Sequence, residues 1–323
     1  MREKIKSNLQ KYMVVVILFV LIIFFSVLTP NFLTKDNLFT ILRQVSMIGI
    51  LSVGGAFIMI SGGIDLSLGV QMGMSGIIAA LLMVNHQMPI FLSCLLGLLV
   101  TTFVGFINGI VITTTRMQPL IATLGMMNII KGLNYIITDG LPIYGIPSQV
   151  TLLGQGHIGA VPIPSLIMLA VFCLGGFLLN KTYLGRYFYA LGSNEEAARL
   201  TGLKTKMIRI LAYTIGGSLA GIAGLVLMAR VNSAQPMSGW GNEMDVITAC
   251  VVGGVSAAGG EGKISGVIAG VLIMGVLSNG MAVLGLGEYH QVVVKGVVLI
   301  VAVGFDCLQR IWSSKVKKIQ NEG

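Results

Sequence analysis

Ten stretches of this chain are predominantly apolar for 15 to 24 residues each: 12–28, 45–61, 66–84, 90–113, 119–137, 164–180, 210–230, 244–258, 264–286 and 291–309. A helix needs about 20 such residues to cross about 30 Å of hydrocarbon. The pattern therefore predicts an all-α polytopic membrane protein of about ten transmembrane helices, filling residues 1–323 as one membrane domain. The shorter runs, 45–61, 164–180 and 244–258, are expected to be tilted, broken or re-entrant. Irregular backbone of that kind survives only where protein or a water-filled cavity surrounds it. Composition closes off the soluble alternative, since 55% of the 323 residues are hydrophobic and only 10% charged, against about a quarter charged in soluble domains. The run at 12–28 follows Arg2, Lys4, Lys6 and Lys11 and has no A-x-A site after it, so it reads as a retained signal anchor.

Charge sets the orientation. With the N-terminus inside and ten spans, 16 of the 21 Lys and Arg fall on inner segments, leaving Lys35, Arg43, Lys131, Arg230 and Lys295 outside. That asymmetry is the positive-inside pattern. It predicts cytoplasmic termini and accounts for the net charge of +9 without a nucleic-acid partner. The four cysteines and three histidines are dispersed, with no CxxC pair and no metal-ligand spacing. Two loops stand out, an outward one at 138–163 and an inward, basic one at 181–209.

The inward loop contains Ser193-Asn194-Glu195-Glu196-Ala197-Ala198-Arg199-Leu200-Thr201-Gly202. Ser193 or Asn194 caps a short helix, the acids fill its first turn and Gly202 ends it. On residues alone this is a solvated surface helix. Its E-A-A-x-x-x-G spacing, however, resembles the cytoplasmic coupling loop of ABC importer permeases. The resemblance implies that Asn194, Glu195, Glu196, Ala197, Ala198 and Gly202 dock on an ATP-binding subunit.

Between the second and third runs lies Ser61-Gly62-Gly63-Ile64-Asp65-Leu66-Ser67-Leu68-Gly69. One reading is a tight turn with Asp65 capping the next helix; the other makes Asp65 part of a gate. The phrase resembles a hallmark of the monosaccharide permeases typified by the ribose system. Gly105 to Asn108-Gly109, Thr123-Leu124-Gly125, Gly253 to Gly260 and Val294-Lys295-Gly296 extend that resemblance over essentially the whole chain. It implies a pathway or gate involving Gly62, Gly63, Asp65, Ser67, Asn108, Thr123 and Asn279. The spacing of Gly105-x-x-Asn108-Gly109 before Gln118, and of Gly275-x-x-x-Asn279-Gly280 before Gln291, is consistent with spans two to five repeating as seven to ten in inverted orientation.

The function expected is the permease subunit of an importer for a small, ribose-like sugar in a bacterial cell membrane. It would pair with a second permease copy or close paralogue, two ATP-binding-cassette subunits and an extracellular sugar-binding protein. With no GxxxxGK[ST] loop in the chain, ATP is hydrolysed by the partner and no cofactor is expected here. Glu243 and Asp245, beside Arg230, are the expected docking charges on the outer surface. The alternatives are a branched-chain amino acid or nucleoside permease of the same superfamily, or a secondary transporter. A membrane enzyme is disfavoured, because no nucleophile–base pair is apparent.

Overall fold

The computed structural model describes the backbone of residues 2–321 and the side chains of residues 14–308. In chain order the helices are α1 (Arg2–Leu28), α2 (Lys35–Ile60), α3 (Leu68–Ala80, continued by a π-turn over Leu81–Asn85), α4 (Ile90–Thr115), α5 (Pro119–Ile137), α6 (Ser148–Gln155), α7 (Ile163–Lys181), α8 (Tyr183–Ser193), α9 (Glu195–Leu200), α10 (Thr205–Val231), α11 (Asn242–Val252), α12 (Ile264–Val283) and α13 (Glu288–Asn321). A two-residue hairpin, β1 (His157–Ile158) and β2 (Val161–Pro162), lies between α6 and α7. Eight helices of the described residues are long and apolar enough to cross a membrane. The protein is a multi-pass, all-α membrane protein.

The helices begin where the sequence allows it. Thr34 caps α2, its hydroxyl accepting the Asn37 N–H at 3.4 Å, and Asp36 sits in the first turn. Pro119 opens α5, where its missing N–H costs nothing. Two expected weak spans are whole: 45–61 is helical in α2 up to its C-cap Ser61, and 164–180 lies within the 19 residues of α7. The run at 244–258 is the exception. It is helical only as far as Val252, because Gly254, Gly259 and Gly260 hold positive φ and turn the chain out of the helix.

α10 is the central post, packing on α2, α3 and α4. Its 27 residues span about 40 Å at 1.5 Å per residue. The approach to α4 is backbone to backbone: a Cβ on Gly217 would stand 3.0 Å from the Gly105 Cα and strike the Thr101 carbonyl. One end of the bundle carries α9, tied to the start of α10 through Glu195 and Arg209 at 2.9 Å. The other carries α6, whose Gln155 donates to the Arg230 carbonyl at 3.0 Å.

Two helices begin in the middle of this bundle rather than at an end. α2 runs down to the α9 end, where the Ile60 carbonyl accepts the Gly260 N–H at 2.9 Å. Residues 61–67 then climb back, and α3 starts with Leu68 beside Gly216 while Met72 packs on Gly224. Those two glycines bracket the midpoint of α10. In the reverse sense, α10 ends beside α6, residues 232–241 descend, and α11 starts with Glu243 against Gly69. The helices around these two mid-depth starts correspond: α3 packs on α4 and α5, α11 on α12 and α13, α4 on α10 and α12 on α2.

Gly217→Val drives methyl groups into the α4 backbone, and overpacking of this kind costs about 1–3 kcal/mol. The thermal midpoint of the detergent-solubilised protein, read by fluorescence size-exclusion, should fall by several degrees. Gly304→Ala, where nothing lies within 4 Å of an added Cβ, should leave it unchanged.

Candidate functional site

The α9 end presents a ledge of two short helices. Thr182 caps α8 by accepting the Gly185 N–H at 3.3 Å. α8 buries Phe188 and Leu191, with the Phe188 ring edge-on to Phe57. Tyr189 donates to the Gly262 carbonyl at 2.7 Å, and burial raises its phenol pKa, so it stays a donor. Asn194 is the cap of α9, accepting the Ala197 N–H at 2.9 Å. Gly202 closes the turn at φ +85°.

Of the coupling set, Ala198 alone is buried and anchors the helix, while Asn194, Glu195, Glu196, Ala197 and Gly202 face outward. Leu200 stands 81% exposed at the tip, a large apolar side chain turned outward. Its signal in the sequence is an unpartnered leucine on a polar six-residue helix. Beside the ledge opens a cleft of about 550 Å³ whose lining includes Gly62, Arg116, Glu195, Arg199 and Arg209.

Above that cleft, the expected pathway residues divide. Gly62 turns the chain at φ +82°, and Gly63 passes so close to the Tyr213 hydroxyl that a Cβ would collide with it. Tyr213 donates to the Ile64 carbonyl at 3.3 Å. Asp65 is 4% exposed; its Oδ1 accepts the Ser67 N–H at 2.8 Å and the Ser67 hydroxyl at 2.5 Å. Its Oδ2 accepts from Asn108 at 3.2 Å. Ser67 Oγ in turn accepts from Asn108 at 3.0 Å and Gln71 at 2.8 Å. Thr123 accepts the Leu66 N–H at 3.2 Å.

The residues of the break thus meet one side chain from α4 and one from α5. Buried, the cluster satisfies the polar groups that an interrupted helix exposes. Gln71 and Tyr213 belong to it as well. Neither carries a sequence signal beyond being polar within an apolar run.

Asn279 is elsewhere, exchanging amide hydrogen bonds with Asn37 at 2.8 and 3.0 Å near the start of α2. The expected docking acids are not at the surface. Glu243 is 3% exposed, folded back on the Gly241 N–H at 3.1 Å. Asp245 pairs with Lys295 at 2.7 Å. The reason is the descent of 232–241, which carries both acids inward from the end of α10. Arg230 does stay at the α6 end. With Arg43, Thr40, Gly154 and Gln155 it lines a cleft of about 360 Å³, so the charge there is basic rather than acidic.

Asp65→Ala removes the acceptor of three buried donor groups, each worth about 1–3 kcal/mol when left unpaired. The thermal midpoint should drop sharply. Asp65→Asn sets an amide N–H against Asn108, a smaller loss that the exchange Asp65→Asn with Asn108→Asp should largely restore. An alanine variant as stable as the parent would contradict the bracing role.

Known proteins resemble this chain over nearly its whole length. The family described as branched-chain amino acid transport system / permease component matches residues 37–303. The ribose import permease of Bacillus subtilis is 40% identical over 291 residues, covering 90% of each chain. That of Escherichia coli K12 is 40% identical over 305 residues, 93% of this chain and 95% of its own. The L-arabinose transport system permease of Escherichia coli K12 is 38% identical over 296 residues, 92% and 90% of the two chains. No solved structure matches.

Proposed function

The chain belongs to the branched-chain amino acid transport system / permease component family, and we propose that it is the membrane-spanning subunit of an ATP-driven importer for a small, ribose-like sugar. The observation that carries the coupling half of this reading is the ledge of α8 and α9. A rigidly capped helix presents Glu196 and an 81% exposed Leu200, held to α10 by the Glu195–Arg209 pair. Such a surface suits insertion into a groove on an ATP-hydrolysing partner. The sugar half rests on near full-length similarity to ribose and arabinose permeases.

In this reading the α9 end faces the cytoplasm, as the basic residues of 181–209 favour, and both termini lie on that side. Ten membrane segments, nine long helices and the half-length α11, form one membrane domain in a bacterial cell membrane. The reciprocal packing of α2–α5 and α10–α13 supports an inverted repeat. The Asp65 cluster braces the break above the cytoplasmic cleft and so sets where a gate can form. Two copies assemble the pathway, two ATPase subunits bind and hydrolyse ATP, and an extracellular binding protein delivers solute at the α6 end. The cleft at Arg43 and Arg230 offers that protein's carboxylates a charge-complementary contact. The family description supports a second reading, a branched-chain amino acid as solute, which competition of uptake by D-ribose against L-leucine distinguishes.

Leu200→Asp and Glu196→Lys alter the ledge and touch no core. Both variants should insert normally yet lose co-purification of the ATPase subunit and most D-ribose uptake in cells expressing the whole transporter. Normal uptake by both would make α9 a plain connector.

A further inference from the structure

One face of the molecule is polar and aromatic where a lipid-facing surface would be apolar. On α5, Asn128, Lys131 and Tyr135 follow one another at three- and four-residue steps and so share a side of the helix. Asn128 is exposed, Tyr135 is 39% exposed, and an added Cβ at the neighbouring Gly132 would meet nothing within 4 Å. Opposite them the descending segment 232–241 presents Trp240, 49% exposed. The Lys131 ammonium lies 3.7 Å from the centroid of its ring.

These groups sit deep in the bundle. Lys131 is the thirteenth of the 19 residues of α5, about 18 Å from one end of the helix and about 9 Å from the other. Trp240 follows Gly239, which packs on Gly69 and Met72 near the midpoint of α10. An ammonium group and an irregular backbone segment at that depth are incompatible with lipid contact. They require protein cover or water. α13 shows the contrast, exposing Val292, Val297 and Ile300, an all-apolar surface suited to lipid.

We infer that the face formed by Asn128, Lys131, Tyr135 and Trp240 is the water-lined wall of the solute pathway and contacts the passing sugar. This rests on the importer reading given above. The chemistry fits a polyhydroxylated ring. The indole face is electron-rich and accepts the weakly positive C–H face of a sugar, as it accepts a cation. The ammonium and the Asn128 amide supply donors and an acceptor for hydroxyl groups. The Asn128 amide makes one bond in this structure, to the Leu124 carbonyl at 3.2 Å, leaving its carbonyl oxygen to a ligand. Lys131 rests on the ring, with the Glu243 carboxylate a more distant electrostatic partner, so a hydroxyl can displace it from the ring without breaking a close ion pair.

The test uses the assembled transporter in lipid nanodiscs. Cys94, Cys173 and Cys307 are replaced by serine, while Cys250 stays because it is buried. Single cysteines are then placed as Asn128→Cys, Trp240→Cys and, for the lipid face, Ile300→Cys. With a charged, membrane-impermeant methanethiosulfonate, the first two should react at least tenfold faster than the third. Uptake of D-ribose in cells should fall about tenfold in Trp240→Ala and in Asn128→Leu, and should largely persist in Trp240→Phe, with ATPase-subunit co-purification unchanged in all three.

Labelling of Asn128→Cys and Trp240→Cys as slow as that of Ile300→Cys would overturn the inference, placing this face against lipid or a second copy. Fast labelling with unimpaired uptake by Trp240→Ala and Asn128→Leu would overturn the sugar contact. Should the parent transporter carry no D-ribose at all, the sugar reading fails by itself, and the labelling contrast still decides whether the wall is aqueous.

Discussion

Inside a membrane every backbone N–H and C=O must find a partner without help from water, and two helices of this protein are interrupted there. The segment 61–67 meets the demand with side chains: Asp65 accepts the Ser67 N–H, Thr123 accepts the Leu66 N–H, and Tyr213 donates to the Ile64 carbonyl. Since Thr123 lies on α5, Asn108 on α4 and Tyr213 on α10, satisfying the break fixes the positions of three other helices. Glycine makes the remaining room. At Gly63 a Cβ would collide with the Tyr213 hydroxyl, and at Gly69 with the Glu243 carboxylate and the Gly239 carbonyl.

The same constraint shapes the outer half. The descent of 232–241 brings α11 to begin against the first turn of α3, and Glu243 turns back to accept the Gly241 N–H. A helix that starts at mid-depth gains short reach and an N-terminus inside the protein. It also delivers the loop before it, with Trp240 half exposed, to a level that an unbroken span would have filled with side chains packed on neighbours. Transporter sites are typically built where such irregular backbone replaces a straight helix. The ledge of α8 and α9 lies beyond the opposite end of α10, so the post that positions the mid-depth loop also carries the ledge, through Arg209 and Glu195.

Much of this was legible in the chain. The apolar runs locate the long helices, and Asn194, the two acids and Gly202 mark α9 because capping is local chemistry. The GGIDLS phrase marks the first break for the same reason, since glycines and an aspartate have few uses at a membrane boundary. The second break was harder to place. Residues 244–258 continue apolar through Val255, so hydropathy extends the helix, and only the paired glycines after Val252 disclose its end. Glu243 and Asp245 were misplaced because counting spans locates a loop in order along the chain but not in depth. Tyr213 has no signal because its partner is 149 residues distant and a long-range hydrogen bond leaves no local pattern; Gln71, four residues from its partner Ser67, is a single polar residue in an apolar run.

The architecture depends on residues 232–241 lying deep within the membrane yet away from lipid, and the protein has its own probe for this. Of its two tryptophans, Trp312 can be changed to phenylalanine, leaving Trp240 to report alone. Fluorescence quenching in nanodiscs then compares aqueous iodide with lipids carrying a doxyl group at mid-chain. Efficient quenching by iodide and little by the doxyl lipids is the result expected of a loop enclosed in protein and open to water. Strong quenching by mid-chain doxyl with iodide ineffective would put Trp240 in the bilayer and contradict the structure's central feature.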